Sequence, residues 1–227
     1  MAIIPIEILS DPICPWCYIG YRTLQRAMTL YQKTYPGGSR DTFDIIWKPY
    51  FIDEVEPDES VLIHDRMARR MTPSQIEAAQ MRLVRSGNPL GINFSFGGYM
   101  GSSRLAHRVL FFAARIGGSE TQCRVAETIF RYQFELEKDT SQLNVVVSAA
   151  VESGIEEWIV KEFLAGSGGV EEIEHEAWTY RERLNAEGVS GVPCFVIGGE
   201  VRFEGVGDWE EFFGAFVAAR EAPTKSS

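Results

Sequence analysis

The chain opens on an apolar run, "IIPIEIL" at residues 3–9, whose length and continuity predict a central β-strand. Asp11 and Pro12 end it. From Pro15 the apolar spacing becomes helical, with Leu24, Met28 and Tyr31 on one face. Pro15 suits the first turn, because the amide it lacks would have no partner there. The Pro and Gly cluster "YPGGS" at 35–39 stops this helix. "TFDIIWKPYFI" at 42–52 then predicts a second strand, with Pro49 at its end or edge. A strand, helix and strand of these lengths read as a right-handed βαβ unit with parallel strands.

Residues 60–187 carry mostly helical patterns. Ser102 or Ser103 precedes "RLAHRVLFFAARIGG", which the Gly117–Gly118 pair should end. Ser119 and Gln122 have capping-box spacing before "CRVAETIFRYQFELE". "SQLNVVVSAAVESG" and "EEWIVKEFLAGSGG" follow, and a last helical stretch stops at Gly188. Strand character returns in "VPCFVIGGEVRFEG", where Gly198 and Gly199 separate two short apolar runs as in a hairpin. Asp208 should cap a final helix, "WEEFFGAFVAAR", and the tail "EAPTKSS" should fray. The predicted fold class is α/β. Residues 1–57 and 188–227 form one discontinuous domain, and an all-helical domain, 58–187, is inserted between them. There is no internal repeat.

Charge narrows the function classes. A net charge of −10 argues against binding to nucleic acid or to an anionic membrane surface, both of which need clustered Lys and Arg. No basic leader precedes the first strand and no window approaches a membrane-spanning apolar run, so a cytoplasmic location is expected. Four cysteines are too few for a disulfide scaffold.

The chemistry concentrates at "SDPICPWCYIG", residues 10–20. Unpaired amides and the positive end of the helix dipole should stabilise a thiolate at Cys14, the candidate nucleophile. Cys17, one turn in, is placed to attack a mixed disulfide and release the substrate, and should be the more buried partner. Pro15 and Trp16 supply no charge. A zinc site would need two more ligands, and His64, His107 and His175 stand singly with no second Cys-x-x-Cys, so no metal is expected. Two inert core cysteines are the remaining reading of the pair.

A second stretch, "GVSGVPCFVIGG" at 188–199, sets Val192 and Pro193 directly before an apolar strand. Proline fits there only at the strand's first position or with an uncommon bond geometry. With the strand–CPWC–helix start, the helical insert, and Gly-Val-Pro before a hairpin and last helix, the chain resembles thioredoxin-fold proteins of the DsbA family. The resemblance covers nearly the whole chain and is strongest to the FrnE-like branch, through "DPICPWCYIG" and "GVPCFVIGG". It implies a thiol–disulfide oxidoreductase in which Cys14 attacks and Cys17 resolves. It also implies a cis Val192–Pro193 bond facing the cysteines, with the Val192 backbone pairing to substrate and Pro193 keeping metal away. An ordinary trans proline is the alternative. Pro15 and Trp16 would shape the substrate surface. No cofactor is required on this reading, and the partner is a protein or small molecule bearing a thiol or disulfide.

The same architecture serves kappa-class glutathione transferases and hydroxychromene-carboxylate isomerases, which generally have serine where Cys14 stands. Glutathione is therefore a candidate thiol partner. Its γ-glutamyl carboxylate would suit the start of the last helix at Gly207 and Asp208, where Asp208 as a plain N-cap competes. A glutathione-dependent transferase or isomerase, and a redox-sensing chaperone or binding module, stand as alternative functions.

Several residues are open to two readings. Many relatives carry a buried carboxylate six residues before the first cysteine, but Ile8 stands there and Glu7 should point to the other face. Asp11 or water could take the proton of Cys17 instead, unless Asp11 only orders the loop. Cys194 is either a small apolar strand residue or a third thiol within reach of the pair. Cys123 reads as core. His107, in a stretch resembling an Ala-His-Arg segment common in this branch, lines a cleft or packs between domains. Phe94, Phe96 and Tyr99 form a cleft wall or pack in the core.

Overall fold

The computed structural model describes residues 1–57, 59–186, 188, 191–199 and 201–222. Strand β1 (Ile3–Ser10) leads directly into helix α1 (Pro15–Thr34), and β2 (Thr42–Pro49) returns parallel to β1 with Ile6 opposite Ile45. At the other end of the chain, β5 (Cys194–Ile197) and β6 (Val201–Glu204) form the expected hairpin. Gly198 and Gly199 both have positive φ in its turn, a conformation that glycine adopts without strain. β5 pairs antiparallel to β1, giving a four-stranded mixed sheet in the order β2–β1–β5–β6.

Strand alternation then sorts the side chains. Ile4, Ile6 and Ile8 of β1, with Phe195 and Ile197 of β5, face one side. There they meet Leu24, Ala27 and Tyr31 of α1 and Phe212 and Phe216 of the last helix, α8 (Trp209–Glu221). Burying each large apolar side chain is worth about 1.5–3 kcal/mol, so this face carries most of the local stability. Leu9 and Cys194 face the other side and pack on Leu184 of α7 (Val170–Ala186). Glu7 points there too, as expected, and accepts a hydrogen bond from the Tyr180 hydroxyl at 3.2 Å.

Between β2 and β5 the chain is helical: α2 (Ile63–Ala68), α3 (Pro73–Gly87), α4 (Arg104–Phe134), α5 (Leu143–Glu152), α6 (Glu157–Ala165) and α7. A ribbon of two-residue strands, β3 (Val61–Leu62) and β4 (Tyr99–Met100), was not predicted, because two residues carry no readable period. The apolar core runs unbroken from the sheet into these helices. Tyr18 of α1 stacks on Phe130 of α4 at 5.2 Å and donates its hydroxyl proton to Glu135 at 2.6 Å. No helix among the described residues is long and apolar enough to cross a membrane.

Two expectations are corrected and one holds. The second strand ends at Pro49 rather than at residue 52, since the Ile52 amide donates to the Asp11 carboxylate at 2.7 Å. As expected, the Gly117–Gly118 pair breaks the helical run: the stretch α4 spans consists of two helices that meet at a kink at Gly118, with φ of 66° and ψ of −163°. Ser119 and Gln122 spend their side-chain oxygens on the sheet rather than on a cap. Ser119 Oγ accepts from Ile45 N at 2.9 Å and Gln122 Oε1 from Trp47 N at 3.0 Å. They thereby cover the open edge of β2, whose unpaired amides would otherwise need a further strand. The expected frayed tail lies outside the described residues beyond 222.

Candidate active site

Cys14 occupies the N-cap of α1, with extended φ and ψ of −97° and 110°, and Pro15 follows in the first turn. No side chain caps this helix start. The Cys14 amide donates to Asp11 O at 2.9 Å, which turns the chain from β1 into α1 within four residues. Cys14 is 5% exposed and Cys17 is fully buried, so the expected order of burial holds. Burial pushes the Cys17 thiol well up, and the neighbouring Cys14 adds to this, while the Ser10 hydroxyl and the Asp11 amide oppose it.

The Val192–Pro193 bond is cis. The Val192 carbonyl lies 3.9 Å from Cys14 Sγ, within reach of its S–H, so two chain segments 178 residues apart meet at this sulfur. Gly20, which the sequence did not single out, sets that approach. A methyl group there would come 3.0 Å from the Phe195 ring and 3.1 Å from Pro193 Cγ. Trp16 is half-buried, with the Arg82 guanidinium 4.8 Å from its ring.

Asp11 does order the loop. Fully buried, its carboxylate accepts from Ile13 N at 3.2 Å as well as from Ile52 N. Desolvation raises its pKa to about 6 against the pull of these amides and of the Ser103 hydroxyl. His107 is 4% exposed and packs edge-on to Phe51; its Nε2 donates to Tyr50 O at 3.1 Å and sits 3.8 Å from the Asp11 carboxylate. Burial depresses it to about 4. It is thus a packed residue that also lines a cavity of about 250 Å³ beside β2 and α4.

Cys194 packs as the small apolar strand residue it was expected to resemble. It lies on the sheet face opposite the cysteine pair, against Leu9 and Leu184, and burial raises its thiol to about 11. Gly207, with φ of 62°, precedes Asp208 at the start of α8. There Asp208 accepts from Glu211 N and donates its own amide to the Glu211 carboxylate, both at 2.8 Å. This is a complete capping box with two carboxylates, so an incoming carboxylate would meet like charge.

Beside Cys14 opens a cavity of about 380 Å³. Ile13 and Pro15, the residues flanking the cysteine, form one wall. Met67, Leu83, Phe94 and Phe96 are among its other apolar walls, and Arg66, Arg69 and Arg70 stand at its rim. Phe94 and Phe96 stack at 6.2 Å, so they make a wall as the sequence suggested, while Tyr99 lies outside on β4. Among the described residues no three His, Cys, Asp or Glu side chains cluster as a metal site requires.

A family model, the DSBA-like thioredoxin domain, matches residues 5–217, and the chain belongs to that family. The fold is that of a thioredoxin-like domain carrying a helical insertion. A structure titled as a probable DsbA oxidoreductase from Streptomyces coelicolor superposes with a TM-score of 0.80 at 21% identity, over 99% of this chain and 93% of that one. The cytosolic disulfide reductase DsbM from Pseudomonas aeruginosa gives 0.61 at 18% identity over 95% of each chain. A 2-hydroxychromene-2-carboxylate isomerase gives 0.62 at 12% identity over 94% of this chain and 93% of that one. No curated protein matches by sequence.

Proposed function

We propose that this chain is a thiol–disulfide oxidoreductase with Cys14 as attacking thiolate and Cys17 as resolving thiol. The observation that carries the reading is the meeting of Cys14 Sγ with the Val192 carbonyl at an uncapped helix start, with Cys17 buried directly behind. Cys14 attacks a substrate disulfide, one sulfur leaves as a thiol, and a mixed disulfide forms. Cys17 then attacks Cys14, the second substrate sulfur leaves, and the Cys14–Cys17 disulfide remains. Val192 and Pro193 border the attacked sulfur, Pro15 belongs to the wall of the adjoining cavity, and Trp16 shapes the surface beyond. That cavity seats the apolar part of the substrate.

The matched family and the likeness to a disulfide reductase support this reading, and a related structure of that reductase holds glutathione. Glutathione is accordingly proposed as a thiol partner, received at the Cys14 cavity rather than at the self-capped start of α8. Residues 1–57 and 188–227 are proposed as the unit that bears the cysteines, with 58–187 inserted. The division is one of chain order, since α7 also covers a face of the sheet.

Mass spectrometry after reaction with a small aromatic disulfide tests the roles. Cys17→Ser should accumulate a mixed disulfide on Cys14, whereas Cys14→Ser should form none. A mixed disulfide on Cys17 or Cys194 in place of Cys14 would refute the assignment.

A further inference from the structure

Residues 93–97 belong to no strand, yet they pair with the end of α4 as a strand pairs with its neighbour. Alternate amides donate the same way. Asn93 N reaches the Glu135 carboxylate at 3.1 Å, Ser95 N the Phe134 carbonyl at 2.7 Å, and Gly97 N the Glu137 carboxylate at 2.8 Å. Amides two residues apart share one side only in an extended backbone, so Phe94 and Phe96 turn theirs to the opposite edge. Among the described residues, the amides and carbonyls of Phe94 and Phe96 have no hydrogen-bond partner. The segment is held firmly on its closed side. The Phe94 ring packs edge-on to Tyr18 and Phe134, at 6.4 and 5.9 Å, and Gly98 O accepts from Ile63 N at 2.9 Å. Glu137 adopts a φ of 54°, a conformation that costs a residue with a side chain. A β-carbon at Gly98 would come 3.0 Å from Glu137 Cα, so glycine permits this close approach.

We propose that Phe94–Phe96 is a docking edge for an extended, acidic segment of a polypeptide substrate. It is separate from the Val192 carbonyl, and it rests on the oxidoreductase reading above for what that substrate is. Unpaired N–H and C=O groups on alternate residues match a partner with a repeating backbone of its own, as in strand addition. A small-molecule disulfide has no such repeat to offer. Phe94, Ser95 and Phe96 line the same cavity as Ile13 and Pro15, so a segment paired here lies against the wall that flanks Cys14. Charge selects the segment further. Arg66 is paired with Asp53 at 2.7 Å, but Arg69 and Arg70 are exposed at the rim without a carboxylate partner among the described residues. In a chain of net charge −10, these unneutralised cations favour acidic side chains beside the edge. Because the edge is held before binding, little ordering is left for the substrate to induce.

Fluorescence anisotropy of a labelled acidic nonapeptide, with serine in place of its central cysteine, reads docking without thiol chemistry. Phe96→Ala removes the ring and keeps the amide, whereas Phe96→Pro removes both. No internal hydrogen bond goes with that amide, and proline suits an extended backbone. Phe96→Pro should bind the peptide on the order of tenfold more weakly than Phe96→Ala. On the wild-type chain a neutral peptide of the same length should bind more weakly than the acidic one, by a margin that salt removes. Equal affinity of Phe96→Ala and Phe96→Pro would overturn the docking edge while leaving the cysteine roles intact. Displacement of the peptide by an equal concentration of glutathione would overturn it in favour of a small-thiol site. The proline loss in a chain whose Cys14 forms no mixed disulfide would support the edge and overturn the oxidoreductase reading. If Phe96→Pro does not fold, peptides methylated on one backbone nitrogen at a time decide with the wild-type chain. Losses at every second position support the edge, and losses at none or at all alike overturn it.

Discussion

The Val192 carbonyl oxygen lies 3.9 Å from Cys14 Sγ, and Gly20 is the residue that allows the two segments to approach. A β-carbon at position 20 would press on both Phe195 and Pro193. Gly20→Ala should therefore cost about 1–3 kcal/mol by overpacking and should also slow disulfide exchange at Cys14. Urea unfolding and alkylation kinetics check the two effects. A variant with wild-type stability and exchange would show that the contact yields freely.

The buried Asp11 and His107 make opposite contributions to stability between pH 4 and 6, with Asp53 adding to the Asp11 shift and Arg104 to the His107 shift. Folding raises Asp11 from 3.8 to about 6, so in this window the folded chain holds a proton that the unfolded chain has released. Its contribution falls as pH rises. Folding lowers His107 from 6.5 to about 4, so there the unfolded chain holds the extra proton and stability rises with pH. Each is worth about 3 kcal/mol across its window, and together they nearly cancel. His107→Gln should expose the fall and Asp11→Asn the rise, measured by chemical unfolding at several pH values. Slopes of the reverse sign would contradict both assignments.

Gln122 closes the edge of β2 through Trp47 N and also donates to Trp47 O and Leu110 O, at 3.4 and 3.3 Å. Gln122→Met keeps the volume and strands these buried groups. A loss of about 3 kcal/mol in urea unfolding is expected. A loss no larger than that of an exposed substitution would mean that water takes over the edge.

The rim of the cavity beside Cys14 bears Arg66, Arg69 and Arg70 in a chain whose net charge is −10. Arg66 is held by Asp53 at 2.7 Å, while Arg69 and Arg70 are exposed. Reversing both, Arg69→Glu with Arg70→Glu, should slow reaction with an acidic peptide disulfide and leave a neutral one nearly unchanged. The loss should shrink as salt is added, because exposed charges are screened. Equal effects on both substrates would remove the rim from substrate selection.

Much of this was legible in the sequence, for reasons that differ by element. The β1–α1–β2 start and the final hairpin follow from local period and from Pro and Gly placement, which need no distant information. The cysteine pair is legible because a helix start gives that spacing its chemistry. The uses of Ser119 and Gln122 were not, since their partners Ile45 and Trp47 lie 74 and 75 residues away. Capping spacing is a local pattern, and here a distant strand edge competes for the same oxygens. Cys194 was ambiguous because the face it occupies depends on strand register, which places it with Leu9 rather than with Ile8. The cavity wall draws on residues between Ile13 and Phe134, a juxtaposition that only the fold creates.

The most direct measurement is the reduction potential of the Cys14–Cys17 pair, by equilibration in glutathione buffers and trapping of free thiols. A single reversible two-electron transition is expected, lost in Cys14→Ser and retained in Cys194→Ser, with its midpoint defining the working direction. For such a couple about 30 mV corresponds to about 1.4 kcal/mol between dithiol and disulfide. No transition, with Cys14 inert to alkylation at neutral pH, would contradict the account and favour a glutathione-binding or client-binding role instead.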